Sequence, residues 1–502
     1  MNMLSLSLRS VFILSIAIMV PLPSVASVQQ AEPGHSNQQG YLQLLTKSWQ
    51  SFETAITESF NDVVEFVQDV FHLSHHTAPQ YNFDVTLVGF VNFADGIGRH
   101  PILFKQCFGD QVKMNFLSTR NFPPELEDAQ LGLPRLNPAN KADIGAIAIL
   151  TDIIADQELN LYSKMPDSLI KIAYTMFEAT EIPCNWAAIL NQKFDMAVVP
   201  DPFFVDVYKK CGVTIPIFVL PLPLMLHDFL KIQRPATSHK PFVFGLSGGF
   251  WPRKNHIRVL EAFAAEFGNS PDVKLRLHGR FGEGEIIGAL ADTIKKYNLT
   301  NVELIVKPYT WDEYLAFYQS LDCYTFLSLG EGFSISPREA LACGMPCILT
   351  NNTAQITICN SGFVRVVPSN IPIPGLYDCH YGSDHGCEIN RFMRIAVDQD
   401  NMADDINLPF RSGRLGYQFD CTLQDARAAM RDVYQNYTYY LNQAAQGRAW
   451  VKQYLCEHLS KKYVNLVKPK TVVFGVENTI RNNFLMTNSK ALYEKYQYLL
   501  GK

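Results

Sequence analysis

Two glutamates eight positions apart, Glu331 and Glu339, bracket the run Glu331-Gly332-Phe333-Ser334-Ile335-Ser336-Pro337-Arg338-Glu339, which continues as Ala340-Leu341-Ala342-Cys343-Gly344-Met345-Pro346. Tyr324 to Leu327 reads as a buried strand, and Gly330 and Gly332 break it so that backbone can come close to a ligand. Ser336 is the expected N-cap of the helix that follows, Pro337 suits its first position, and Glu339 falls where a capping-box glutamate sits. Free backbone N–H groups and the positive helix end then face whatever lies beyond the strand, an arrangement that suits an anion. Capping alone accounts for Glu339. It does not account for Glu331 with its flanking glycines, nor for the small residues Ala340, Ala342 and Gly344. Two further runs stand at strand ends. Trp251-Pro252-Arg253-Lys254-Asn255 opens a helix with a basic pair. In Phe93-Ala94-Asp95-Gly96-Ile97-Gly98-Arg99, Gly96 and Gly98 either allow close backbone approach to phosphate or sugar or make a plain tight turn.

Glu-Gly-Phe, a second glutamate eight residues after the first, and Glu-Ala-x-Ala-x-Gly-x-Pro together resemble the signature of retaining GT-B glycosyltransferases. This is the large group 1 family that includes sucrose synthase and many bacterial mannosyl- and glucosyltransferases. The resemblance covers roughly Tyr81 to Lys468. It implies that Glu331 lies against donor sugar hydroxyls, that Glu339 accepts from the ribose hydroxyls, and that Gly332, Phe333 and Ser334 offer backbone N–H groups. It implies a diphosphate contact for Lys254. The family's usual arginine five residues earlier is here Gly249, which leaves Arg253 as the substitute, and Gly96 and Gly98 correspond to its glycine-rich loop. Tyr174-Thr175-Met176-Phe177-Glu178, with Ile182-Pro183 and Trp186, resembles a branch with a Phe-Glu pair after a strand. Glu178 is then the candidate for acceptor-side work, or else a surface carboxylate.

The whole chain bounds these readings. Its 502 residues suggest two domains plus extras, and 43 basic against 48 acidic residues, with no long basic block, give no nucleic-acid groove. Eleven scattered cysteines do not make a disulfide framework. Arg9, the apolar run Val11 to Val20 and Ser24-Val25-Ala26 read as a cleaved signal peptide over residues 1–27, or as an uncleaved anchor starting near Leu4. The expected location is exported or membrane-associated through that segment, or cytoplasmic if it is not used. Residues 28–80 are a linker and an acidic amphipathic helix, Tyr41 to Leu73, that packs on the body or on a second copy. Asn298, Asn351 and Asn436 stand in glycosylation sequons, which matter only in a glycosylating compartment.

From Tyr81 strand-like and helix-like runs alternate twice over, which predicts an α/β fold of two doubly wound parallel sheets, Rossmann-like, facing a cleft. The expected division is 81–235 for an acceptor domain, 236–420 for a nucleotide-sugar domain with a loop-rich insertion at 359–414, and 421–502 for C-terminal helices partly crossing back. Cys379, His380, His385 and Cys387 could hold zinc but match no common spacing, and a loop or local disulfide is the simpler reading. Asp398-Gln399-Asp400 reads as a solvated acidic loop.

The resulting expectation is a metal-independent retaining glycosyltransferase without a cofactor. It would move a hexose from a nucleotide diphosphate sugar to a carbohydrate, lipid-linked or protein acceptor. The rivals are a degenerate sugar-, nucleotide- or protein-binding member of the fold, and an epimerase or sugar phosphorylase built on it.

Overall fold

The computed structural model describes residues 81–375 and 416–501, apart from 94, 121–122, 156–159 and 482. The signal-like segment, the amphipathic helix, the Cys379/His380/His385/Cys387 cluster and the Asp398–Asp400 loop all lie outside the described residues. Among the described residues no helix is long and apolar enough to cross a membrane.

The first domain is a parallel sheet of β1 (Val85–Gly89), β2 (Met114–Ser118), β3 (Ile147–Leu150), β4 (Ile170–Tyr174), β5 (Met196–Val199) and β6 (Ile217–Val219). Its order is β2-β1-β3-β4-β5-β6. The second domain repeats the scheme with β7 (Phe242–Ser247), β8 (Val273–Gly279), β9 (Val302–Val306), β10 (Cys323–Phe326), β11 (Cys347–Thr350) and β12 (Arg365–Val367). All its pairings are parallel, in the order β12-β11-β10-β7-β8-β9. Helices cover both faces, so the central strands are apolar without alternation: every residue of β1, β3, β5, β7, β10 and β11 is buried. Strand order reverses between β1 and β3 in one sheet and between β7 and β10 in the other. These are the crevices where ligands of such sheets bind, and the motif-bearing loops follow β1, β7 and β10.

The linker between the domains is pinned rather than loose. The Arg234 guanidinium donates to the carbonyls of Leu321 at 2.5 Å and Tyr318 at 2.6 Å. Buried Asp322 accepts from the backbone N–H groups of Val243 at 2.7 Å and His239 at 2.9 Å.

Two expectations about the C-terminal half are corrected. Residues 359–375 do not begin an insertion: they supply β12, which completes the sheet, and β13 (Ile371–Pro374), which pairs antiparallel with β14 (Tyr417–Asp420). Pro372 and Pro374 are compatible with a two-stranded ribbon, in which each strand keeps a free edge. The chain after Lys468 is not simply helical. It forms β15 (Thr471–Phe474), β16 (Thr479–Ile480) and β17 (Phe484–Thr487) before the helix Lys490–Leu499. The β-branched and aromatic run Thr471 to Phe474, closed by Gly475 at φ 90°, explains that choice. The preceding helix, Cys456–Val467, packs on the first-domain helix His100–Phe108: the rings of Phe104 and Tyr463 lie 5.0 Å apart, and the Tyr463 hydroxyl donates to the Pro221 carbonyl at 3.0 Å.

Candidate active site

Beyond the carboxyl ends of β1, β7 and β10 lies a cleft of about 290 Å³, lined from both domains. That is at the small end of the range for ligand pockets, enough for one small molecule. Of the residues read as site candidates, Glu331, Lys254, Glu178, Glu339, Gly332, Phe333, Ser334, Arg253 and Gly96 line it, and Gly98 does not.

Lys254 and Arg253 are placed by a short turn of 3-10 helix, Pro252–Lys254, that closes on Asn255 in the left-handed region at φ 55°. Asn255 is held there by bonds from its side-chain amide to the Leu327 carbonyl at 3.1 Å and to Asp420 at 2.9 Å. Both cations reach across to Glu331. Its Oε1 accepts from Lys254 Nζ at 2.8 Å, Arg253 Nη1 at 3.0 Å and the Ser328 hydroxyl at 2.6 Å. Burial raises the Glu331 pKa, but Lys254 and Arg253 outweigh it and hold the carboxyl below its usual range. Burial, with Arg253 alongside, pushes the Lys254 ammonium down. Arg253 Nη2 also lies 3.3 Å from Glu178, so this first-domain carboxylate does face the cleft.

Gly330 and Gly332 stand against the first domain. A Cβ on Gly330 would sit 2.1 Å from the Glu178 carbonyl oxygen, and one on Gly332 would sit 2.9 Å from the side chain of Met176. The glycines let the facing domain close onto the Glu331 loop. Around the same contact, Tyr417 N–H donates to the Thr180 hydroxyl at 2.9 Å and Gln418 to the Glu178 carbonyl at 3.2 Å.

The helix after this loop begins at Ile335, not after Ser336, and its N-cap is Ser334 at φ 59° with no side-chain capping bond. The left-handed residue turns the chain directly into the helix, so the expected capping box does not form. Ser334 is held by Arg338, whose Nη1 donates to its carbonyl at 3.2 Å. The Arg338 guanidinium lies over the ring of Phe333 at 3.9 Å and that of Tyr454 at 4.6 Å. Glu339, freed from capping, accepts from Arg99 at 3.1 Å through Oε1. Through Oε2 it accepts from the hydroxyls of Tyr314 at 2.8 Å and Tyr318 at 3.2 Å.

In the loop after β1, Asp95 Oδ1 accepts from the N–H groups of Ile97 at 2.9 Å and Gly98 at 3.1 Å. Gly98 is therefore part of a tight turn, with Asn92 2.8 Å from where its Cβ would be, whereas Gly96 faces the cleft. Asp95 Oδ2 binds Arg280 of the second domain at 2.8 Å. Burial pushes the Asp95 carboxyl up, against the pull of Arg280.

Sequence reasoning missed Arg99, Arg280 and the aromatic wall of the cleft. There His278 and Tyr309 stack at 3.8 Å and 13°, and Trp311 meets Phe93 edge-on at 5.3 Å. Arg280 and His278 stand at the end of β8, next to the switch point, and that position was the available signal. Gly249 could not carry an arginine without moving Trp251, whose indole nitrogen lies 2.6 Å from the place of a Cβ. Among the described residues no group of three or more His, Cys, Asp or Glu side chains could hold a metal ion.

Residues 229–370 match the family model for glycosyl transferases group 1. The UDP-Gal:alpha-D-GlcNAc-diphosphoundecaprenol alpha-1,3-galactosyltransferase of Escherichia coli is 26% identical over an alignment of 196 positions, covering 36% of this chain and 47% of that protein. The chain thus spans about half the length of this curated relative. Anabaena HepE, solved in complex with UDP and glucose, superposes with a TM-score of 0.52 at 9% identity, covering 77% of this chain and 99% of its own. Sucrose-phosphate synthase from Thermosynechococcus elongatus does so with 0.50 at 12% identity, covering 76% and 98%. Residues 229–370 in the second domain are thus similar to group 1 glycosyltransferases, and the chain has the two-domain GT-B fold.

Proposed function

We propose that the chain is a retaining glycosyltransferase that moves a hexose from a nucleoside diphosphate sugar to an acceptor hydroxyl, and that its donor carries uridine. The observation that supports this most is the convergence of Lys254, Arg253, Glu331 and Glu339 on one cleft at the strand-order reversal of the second sheet. Uridine is suggested by the UDP-Gal in the relative's name and the UDP bound to HepE.

In this reading Lys254 and Arg253 hold the diphosphate and stabilise the charge that develops on it as the bond from sugar C1 to phosphate oxygen breaks. Those cations supply the positive charge in place of a metal. Glu331 takes the sugar hydroxyls, Glu339 the ribose hydroxyls, and the His278–Tyr309 stack offers a flat wall to the base. Glu178 stands on the acceptor side, where a carbohydrate, lipid-linked or protein hydroxyl would enter. The acceptor oxygen bonds to C1 on the face the phosphate leaves, and its proton passes to the departing phosphate oxygen. Glu331 suits binding better than proton abstraction, because its cation partners depress its basicity. A second reading, a binding protein without turnover, is favoured by Gly249, which lacks an additional diphosphate cation and where a side chain would displace Trp251.

Thermal unfolding of the full chain with UDP, GDP, ADP and CDP and their common sugar conjugates tests the donor site. A ligand specific to the native state adds about 2.7 kcal/mol at a hundredfold excess over its Kd. We expect a shift with UDP that Glu339→Ala abolishes. A shift with no nucleotide, from a cooperatively folded sample, would overturn the proposal. UDP binding without release of UDP from any UDP-sugar would favour the binding protein.

A further inference from the structure

We propose that Arg99, on the first domain, is an additional diphosphate-binding residue that turns to the ligand only when ribose hydroxyls replace it on Glu339, so that the cleft selects intact nucleoside diphosphates over their halves. The inference deepens the donor site proposed above and rests on it. Four cations line the cleft, Arg99, Arg253, Lys254 and Arg280, and four carboxylates, Asp95, Glu178, Glu331 and Glu339, face them. The ligand-binding surface is therefore neutral as it stands, and a diphosphate gains strongly only if a cation is released to it.

Of the cation–carboxylate pairs, Arg99–Glu339 is the one whose carboxylate faces the ribose in the reading above, so it is the pair a nucleoside diphosphate exchanges without its sugar. Glu331 is shared by Lys254, Arg253 and Ser328, and Asp95 also anchors the two N–H groups of its own turn. Glu339 spends Oε2 on two tyrosine hydroxyls and gives Oε1 to Arg99. A pair of neutral ribose hydroxyls can take over Oε1 and keep the carboxylate solvated by hydrogen bonds. The displaced guanidinium, 12% exposed at its side chain, is left needing an anion. Its stem is already aimed into the cleft: Nε donates to the Phe93 carbonyl at 2.6 Å, and the guanidinium lies 5.7 Å from the Phe93 ring and 5.9 Å from that of Trp311. Rotation about the aliphatic torsions of Arg99 carries the planar guanidinium along the cleft wall.

Each half of the nucleotide alone pays a penalty. A nucleoside breaks the ion pair and gives Arg99 nothing in return, and inorganic pyrophosphate draws Arg99 away while leaving Glu339 without it. The whole nucleoside diphosphate satisfies both groups at once, which is coupling through one exchanged ion pair.

The test is calorimetry on the full chain and on Arg99→Met and Arg99→Lys, using UDP, uridine and inorganic pyrophosphate, with the guanosine and adenosine pairs run in parallel. Removing the guanidinium is expected to weaken UDP by about tenfold to a hundredfold, the worth of one charge-assisted hydrogen bond, and to strengthen uridine by about threefold or more because Glu339 is then open. Arg99→Lys is expected to keep UDP affinity within about tenfold of the parent, a point cation still serving phosphate. If Arg99→Met leaves the ratio of UDP to uridine affinity unchanged while the parent binds UDP, the exchange is wrong and the donor site stands. If it weakens both equally, with a lowered unfolding temperature, Arg99 is structural and the exchange is equally refuted. If the parent binds none of the nucleoside diphosphates, the donor reading itself fails and takes this inference with it.

Discussion

Gly330→Ala separates a glycine needed for domain closure from one needed for ligand approach. The new Cβ would stand 2.1 Å from the Glu178 carbonyl oxygen, and real Cβ contacts essentially never fall below 3.0 Å, so the two domains must part locally by at least 0.9 Å. The carbonyl cannot simply rotate away, because Gln418 donates to it at 3.2 Å and the Gln418 side chain itself lies 3.3 Å from the same Cβ. Overpacking of this kind costs about 1–3 kcal/mol. For transfer chemistry the displacement matters more than the energy, since about 1 Å of misplacement can cost on the order of a hundredfold in rate. The assay is release of UDP from UDP-sugar alongside thermal unfolding of the same sample. We expect turnover to fall by about a hundredfold, and by more than UDP affinity falls, because the displacement acts first on the placement of Glu178 on the acceptor side. Turnover within about threefold of the parent would show that the approach of Glu178 to Gly330 is not required, and the closure argument would fail.

Other perturbations follow from the same geometry. Glu331→Gln removes the charge that neutralises Lys254 and Arg253 in a buried site, and breaking such a pair costs about 3–5 kcal/mol, so it is expected to lower the unfolding temperature as well as turnover; an unchanged melt would refute the buried pair. Arg234→Met strips the linker of its bonds to the Leu321 and Tyr318 carbonyls and should destabilise by about 2–4 kcal/mol, read as a shift in denaturant midpoint. Burial pushes the His100 imidazole down to about 4. An unfolded histidine titrates near about 6.5, so between the two values the unfolded chain binds a proton that the folded chain does not. Stability is therefore lost as pH falls from about 6.5 toward 4, by about 3 kcal/mol from this residue, and His100→Phe should flatten that part of the pH profile.

Much of the architecture was legible because the strands are buried on both faces and read as unbroken apolar runs: the runs Ile144 to Leu150, Met196 to Val199 and Cys347 to Thr350 contain the strands Ile147–Leu150, Met196–Val199 and Cys347–Thr350. The helix start after β10 was misread because Ser-Pro-x-Glu satisfies a capping box locally, while the positive φ of Ser334, fixed by packing of Arg338 between Phe333 and Tyr454, begins the helix earlier. The last sheet was missed because its strands are short, Thr479–Ile480 having two residues, and pair partly in parallel. The pairing of Arg99 and Arg280 across the cleft was invisible for a different reason. Their partners lie 240 and 185 positions away, and no local pattern marks a contact made only when two domains face each other. The carboxylate–cation grouping around Glu331 was half legible: the residues were named, but their mutual pairing was not.

The most direct test of the central claim is proton NMR of the first sugar anomer released when the full chain turns over UDP-galactose or UDP-glucose with water or an added sugar as acceptor, compared with Glu331→Ala. The α anomer is expected to form first from the α-linked donor, and its formation to stop in the variant. A β product, or α product formed equally by Glu331→Ala, would contradict it.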